Sequence, residues 1–254
     1  MIYTLKAELF KFYWDIRRYL FNYSVGIIAE GIFISGLYWA LLKYKDSPEI
    51  LMIGLIMWLF AKTALSDASS MVGEERYYGT FERLSTTKSS LFSILICRII
   101  VNFIYSVLRI LIIVTVMCLI FKPDLNYLFS KFNTLLFITF VFLIASMYSW
   151  GFIVCGLQII WKKVGAIVPI IEYIFLVFSG IIVDVEKIPV FLKLISNIIP
   201  ITWGLKILRE TDISKIIVYL TFLIIYTIVS FIIGLFIFNF SISHTKKTGQ
   251  YGFY

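Results

Sequence analysis

Polar side chains fall inside long apolar stretches of the sequence, among them Glu30, Lys62, Asp67, Asn102, Arg109 and Glu172. Ionisable groups are costly in hydrocarbon, so each is expected to meet a partner, a proton path or a substrate path rather than lipid. Hydrolytic chemistry fits poorly. An intramembrane protease or lipid phosphatase needs clustered His, Asp or Glu as metal ligands or as acid and base, and the sole histidine, His244, lies in the C-terminal tail. Cys97, Cys118 and Cys155 sit singly in apolar runs with no CxxC spacing, as packing residues would. No GxxxxGK[ST] phosphate loop occurs, so ATP hydrolysis by that route is not expected of this chain.

The spacing of the polar residues is helical. Lys62, Ser66, Ser69 and Gly73 follow one another at 4, 3 and 4 residues, and Arg98, Asn102, Tyr105 and Arg109 do the same. Each set therefore forms one stripe on its helix. Glu30, Arg109 and Glu172 lie about 8 to 11 residues from the same end of their spans, or about 12 to 17 Å at 1.5 Å per residue. That is near the middle of a hydrocarbon core about 30 Å thick. Arg109 is accordingly expected to pair with Glu30, Glu172 or both. Trp150 and Tyr148 are aromatic candidates for a cavity wall.

The elements that must position these groups are membrane helices. Hydrophobic residues make up 61% of the 254 residues and charged ones 15%, against about 45–50% and about 25% in soluble domains; mean hydropathy is +0.95. The apolar runs are continuous rather than alternating, which favours helices over a barrel. Spans are expected at residues 21–42, 50–72, 98–121, 132–160, 164–183 and 216–240, in one membrane domain. Residues 1–20 place apolar side chains at 3- and 4-residue spacings among Lys6, Lys11, Arg17 and Arg18, as in an amphipathic helix lying in the interface. They resemble no cleavable signal, and the first span is expected to insert and stay.

Six spans put both termini on one side. With that side cytosolic, its connections carry 11 Lys and Arg against 9 opposite, a slight positive-inside bias. The net charge of +8 forms no basic face able to track phosphates, so anionic lipid rather than nucleic acid is the expected partner. Much of the opposing charge lies in residues 184–215, where two short apolar stretches surround Pro189 and Pro200. Each is too short to span and a proline blocks their fusion, so a re-entrant pair of helices is expected on the extracellular side.

Between the second and third spans, residues 74–90 leave the membrane as a cytosolic segment. Phe81 and Leu84 stand at i, i+3 with Glu82 and Arg83 between them, suiting a short docking helix. Gly79 supplies freedom for a sharp break, Thr80 is placed to cap the short helix beyond it, and Glu82 favours the positive end of that helix.

The segment Glu75-Arg76-Tyr77-Tyr78-Gly79-Thr80-Phe81-Glu82-Arg83-Leu84 resembles the hallmark of type-2 ABC exporter permeases, and Ser179-Gly180, Pro189 and Pro200-Ile201-Thr202 resemble that family's re-entrant region. The similarity runs over nearly the whole chain. One departure is that Ser85-Thr86-Thr87-Lys88 stands where the family often has a proline. The resemblance implies an all-α polytopic permease of six spans in a prokaryotic plasma membrane. It also implies homo- or heterodimerisation with a second permease, and a cytosolic ABC ATPase subunit that carries ATP and magnesium and docks on Glu75 and Gly79 to Leu84. Phe81, Glu82, Arg83 and Leu84 are expected to face that ATPase. The amphiphilic substrate is expected to be a drug, an antimicrobial peptide or a lipid-like molecule. The N-terminal helix lacks the basic, tyrosine-containing pattern of the polysaccharide-exporting branch, which favours drug or peptide. The competing reading is an ion-coupled transporter or channel that uses Glu30, Asp67, Arg109 and Glu172 without ATP.

Overall fold

A computed structural model describes residues 2–45, 47–85, 87, 91–124, 134–161 and 164–248. The expectations that involve Thr86, Lys88, Lys131, Lys162 and Lys163 lie outside these residues, as do those for the side chains of Arg76 and Lys246. The described residues are helical with no strand: α1 (Ile2–Arg18), α2 (Leu20–Leu42), α3 (Pro48–Tyr77), α4 (Phe81–Ser85), α5 (Leu91–Phe121), α6 (Thr134–Trp161), α7 (Ile167–Phe178), α8 (Val190–Ile198), α9 (Pro200–Arg209) and α10 (Ile213–Thr248). In hydrocarbon a backbone must satisfy its own polar groups, and apolar runs of this length do so as helix.

Five of these helices, α2, α3, α5, α6 and α10, are long and apolar enough to cross a membrane. The expected fifth span is shorter than its apolar run. Its helix, α7, has 12 residues, about 18 Å at 1.5 Å each. It stops at Phe178 because the chain turns at Gly180, whose φ of +99° lies where side chains are disfavoured. Beyond that turn come the expected short helices, α8 and α9, which meet at 96°. Pro200 opens α9, where its missing N–H costs nothing.

The core is built on α3 and α6. Two thirds of the apolar part of α3 (67%) is buried, against 11% for α2. Leu55, Met57 and Trp58 of α3 pack with Leu143 and Met147 of α6. The α3–α6 seam is close because Gly151 faces Ala68: a Cβ at Gly151 would stand 2.4 Å from that of Ala68. Likewise a Cβ on Gly234 of α10 would come within 2.8 Å of the Ser149 carbonyl. Beside it the Ser149 and Ser230 hydroxyls are hydrogen-bonded at 2.7 Å. Small residues at such seams let helices approach where lipid supplies no hydrophobic drive.

The two short helices differ in burial. Ile201, Leu205 and Leu208 of α9 enter the core beside Met57, whereas Val190, Phe191 and Leu194 of α8 are exposed. On α1, Phe10, Tyr13 and Trp14 are exposed while Phe12 packs edge-on against Tyr105 of α5. One face of α1 thus packs on the bundle and the other is left exposed.

Candidate functional site

The polar stripes expected on α3 and α5 line two adjoining spaces that share Ser70, Glu74 and Tyr78. The stripe Arg98, Asn102, Tyr105 and Arg109 of α5 opens onto a cavity of about 530 Å³ near the end of the bundle that carries α4. Asp67, Ser70, Glu74 and Glu75 of α3 form its second wall, and Glu8, Lys11, Phe12 and Asp15 of α1 its third. The i, i+3, i+4, i+7 spacing of those α1 residues was the sequence signal for that wall. The other stripe, Lys62, Ser66, Ser69 and Gly73, lines an open groove of about 610 Å³ facing Glu172 of α7.

Deep in the bundle the pairing is asymmetric. Glu30 of α2 accepts a hydrogen bond from Lys62 Nζ at 3.1 Å and lies 3.3 Å from Arg109 Nε in an ion-pair contact. Arg109 also stands 5.7 Å from the centre of the Tyr105 ring. Of the two acids open to Arg109 by depth, the fold selects Glu30. Glu172 faces the groove with Lys62, makes no ion pair among the described residues, and gives its backbone carbonyl to Trp58 Nε1 at 3.1 Å. Asp67 and Asn102 line the cavity near α4, and Asp67 Oδ2 has no hydrogen-bond partner among the described residues.

At the α4 end, Arg98 is almost fully buried between two acids. Its Nη2 donates to Glu75 Oε1 at 2.6 Å and its Nε to Glu8 Oε2 at 3.3 Å. Lys11 adds a contact to Glu75 at 3.4 Å. Glu75 was expected to face a partner protein; it is instead buried at this three-helix junction.

The Thr80 hydroxyl likewise donates back to the Glu75 carboxylate and backbone carbonyl. The expected forward cap of α4 is thus replaced by a tie to the end of α3. Gly79 does provide the break, at φ +68°.

Within α4 the two kinds of side chain separate. Phe81 is 4% exposed and fits among Met71, Val72, Leu95 and Phe238, so it is turned into the bundle rather than outward. Leu84 is partly buried beside it, while Glu82 and Arg83 are exposed. Trp150, a candidate for a cavity wall, is engaged in packing: its Nε1 donates to the Tyr226 hydroxyl at 2.7 Å and its ring meets Phe175 edge-on.

The end that carries α8 and α9 holds a third polar group that sequence reading did not assemble. Gly180 makes the turn, Pro189 precedes α8 with extended backbone, and Pro200 is buried at the start of α9. Arg209 of α9 donates to the Gly180 carbonyl at 2.9 Å. It also lies 3.5 Å from Asp184, which accepts a 2.6 Å bond from Lys45 between α2 and α3. Burial works to raise the Asp184 carboxyl, but the Lys45 hydrogen bond and the charges of Lys45, Arg209 and Lys187 outweigh it and leave it below its ordinary value. No sequence signal marked this cluster, since Lys45 and Asp184 are 139 residues apart.

Compared with known proteins, the sequence matches the family described as ABC-2 type transporter over residues 2–213, from the start of α1 to the first residue of α10. No curated protein matches it.

Proposed function

The chain belongs to the ABC-2 type transporter family and is a permease component of an ABC transporter, and we propose that it exports an amphiphilic substrate, powered by a separate ATPase docked on α4. The observation that carries this reading is the division within α4. Phe81 is socketed in the bundle and Thr80 is tied to Glu75, while Glu82 and Arg83 are exposed at the surface. A five-residue helix anchored this way can pass a push from a docked subunit to α3, α5 and α1 together. The end bearing α4 is then cytosolic, with both termini, and α8 and α9 lie outside.

The groove lined by Lys62, Ser66, Ser69 and Glu172 opens at the surface of the single chain, which supports a substrate path completed by a second permease. Its polar wall and apolar surroundings suit drug- or peptide-like amphiphiles.

The test is to co-express the chain with its ATPase and reverse the exposed charges, Glu82→Arg with Arg83→Glu. Co-purification of the ATPase and ATP-dependent export should both fall while the permease keeps its folded yield. Undiminished co-purification and export would overturn the docking assignment.

A further inference from the structure

The geometry points to a binding site for a phosphate-type anion, borne by a lipid headgroup or free in solution, in the cavity between α9, the Asp184 turn and the α2–α3 connection. This cavity measures about 940 Å³ and carries five cations against three carboxylates. Its charges are unevenly matched. Asp184 alone is shared by Lys45 at 2.6 Å, Arg209 at 3.5 Å and Lys187 at 3.7 Å. One carboxylate cannot neutralise three cations.

Two further lysines add to the excess. Among the described residues Lys206 has only neutral partners, the Asn197 side-chain oxygen Oδ1 at 3.1 Å and the Trp203 and Tyr219 rings at 4.1 and 5.8 Å. Lys193 makes no ion pair among the described residues. Of the other two carboxylates, Glu210 is taken up by Lys215 at 3.8 Å and by the N–H groups of Thr211 and Asp212, and Glu186 is exposed to solvent and makes no ion pair among the described residues, which leaves the cations in excess.

A second, independent observation is Thr202 in the wall of the same cavity. It is 1% exposed, yet its Oγ1 has no hydrogen-bond partner among the described residues. Buried hydroxyls are normally satisfied, and an acceptor oxygen entering the cavity would satisfy this one. Donors that converge from separate elements suit an anion with several oxygens better than a single carboxylate. The cavity is far larger than one phosphate, and Ile50, Leu51, Ile181 and Leu205 give it an apolar side fit for the glycerol and first acyl carbons of a lipid.

The experiment titrates the purified full chain in neutral detergent with short-chain phosphatidylglycerol, short-chain phosphatidylcholine and inorganic phosphate. It needs neither ATP nor transport, so its failure is separable from that of the export reading. Phosphatidylglycerol should bind in preference to phosphatidylcholine. Lys193→Gln with Lys206→Gln should weaken binding by about 30-fold, from about 1 kcal/mol per lysine. Arginine at both positions should restore it, and Asp184→Asn should tighten it by removing the competing carboxylate.

Phosphatidylglycerol binding without phosphate binding assigns the site to a headgroup, and phosphate binding assigns it to a free anion. The inference is overturned by binding that is unchanged in the Lys193→Gln/Lys206→Gln protein. It is equally overturned by weaker binding in Asp184→Asn, or by no preference for phosphatidylglycerol together with no uptake of phosphate.

Discussion

At the α4 end, one buried cation, Arg98, is held between the carboxylates of Glu8 and Glu75; at the end that carries α8 and α9, one carboxylate, Asp184, is surrounded by Lys45, Lys187 and Arg209. The arrangements are opposite in sign and also in exposure. The side chains of Arg98, Glu75 and Glu8 are 9%, 10% and 14% exposed, with only Lys11 at their edge open to solvent, whereas those of Asp184, Arg209 and Lys187 are 34%, 38% and 79% exposed and only Lys45 is buried, at 11%. Burial makes the first cluster a structural joint, because any member left alone is an uncompensated charge. Water makes the second tolerant of change and leaves its positive excess open to a ligand.

Arg98→Leu should have the largest effect, stranding Glu8 and leaving Glu75 only Thr80 and the exposed Lys11, and costing about 3 kcal/mol or more. Thermal unfolding of the purified chain would show it, and a melting temperature within error of wild type would dissolve the contrast between the ends. Next is Arg109→Leu, expected to cost about 1–2 kcal/mol because Glu30 keeps Lys62. Adding Glu30→Gln should cost less than the sum of the two single changes, and strict additivity in a double-mutant cycle would mean that the 3.3 Å contact carries no coupling.

Gly180→Ala tests the turn between α7 and α8. It forces a side chain into positive φ and toward Val185, at about 1–2 kcal/mol. An unchanged melting temperature would show that the turn relaxes freely.

The smallest effect belongs to Asp184→Asn, expected at about 1 kcal/mol or below because the group is a third exposed. Its pH dependence has a definite sign. The folded carboxyl lies below its ordinary value, so its contribution is present above that value and is lost as pH falls through the folded one. Wild type should lose this increment below about pH 4, and the Asp184→Asn protein should not. Parallel acid melting curves for the two would remove Asp184 from the account.

Much of the architecture was legible in the chain because membrane helices satisfy their hydrogen bonds locally, so an apolar run of sufficient length defines its own element. The polar stripes of α3 and α5 were equally plain, since a 3–4 spacing places residues on one face wherever the helix goes. The break at Pro200 and the turns at Gly79 and Gly180 also rest on properties of single residues.

What the sequence left open was which faces would meet. Arg109 had two acids within reach by depth, and only the rotation of α3 between α2 and α7 gave it Glu30 and left Glu172 to the groove. Phe81 and Glu82 are adjacent in a polar segment, and only the cluster around Phe238, more than 150 residues on, buries one and leaves the other exposed. The family of the permease could be read from its own motifs. Its charge clusters could not, because close approaches such as Gly151 on Ala68 fix helix rotation, and rotation is a property of the packed bundle rather than of any one helix.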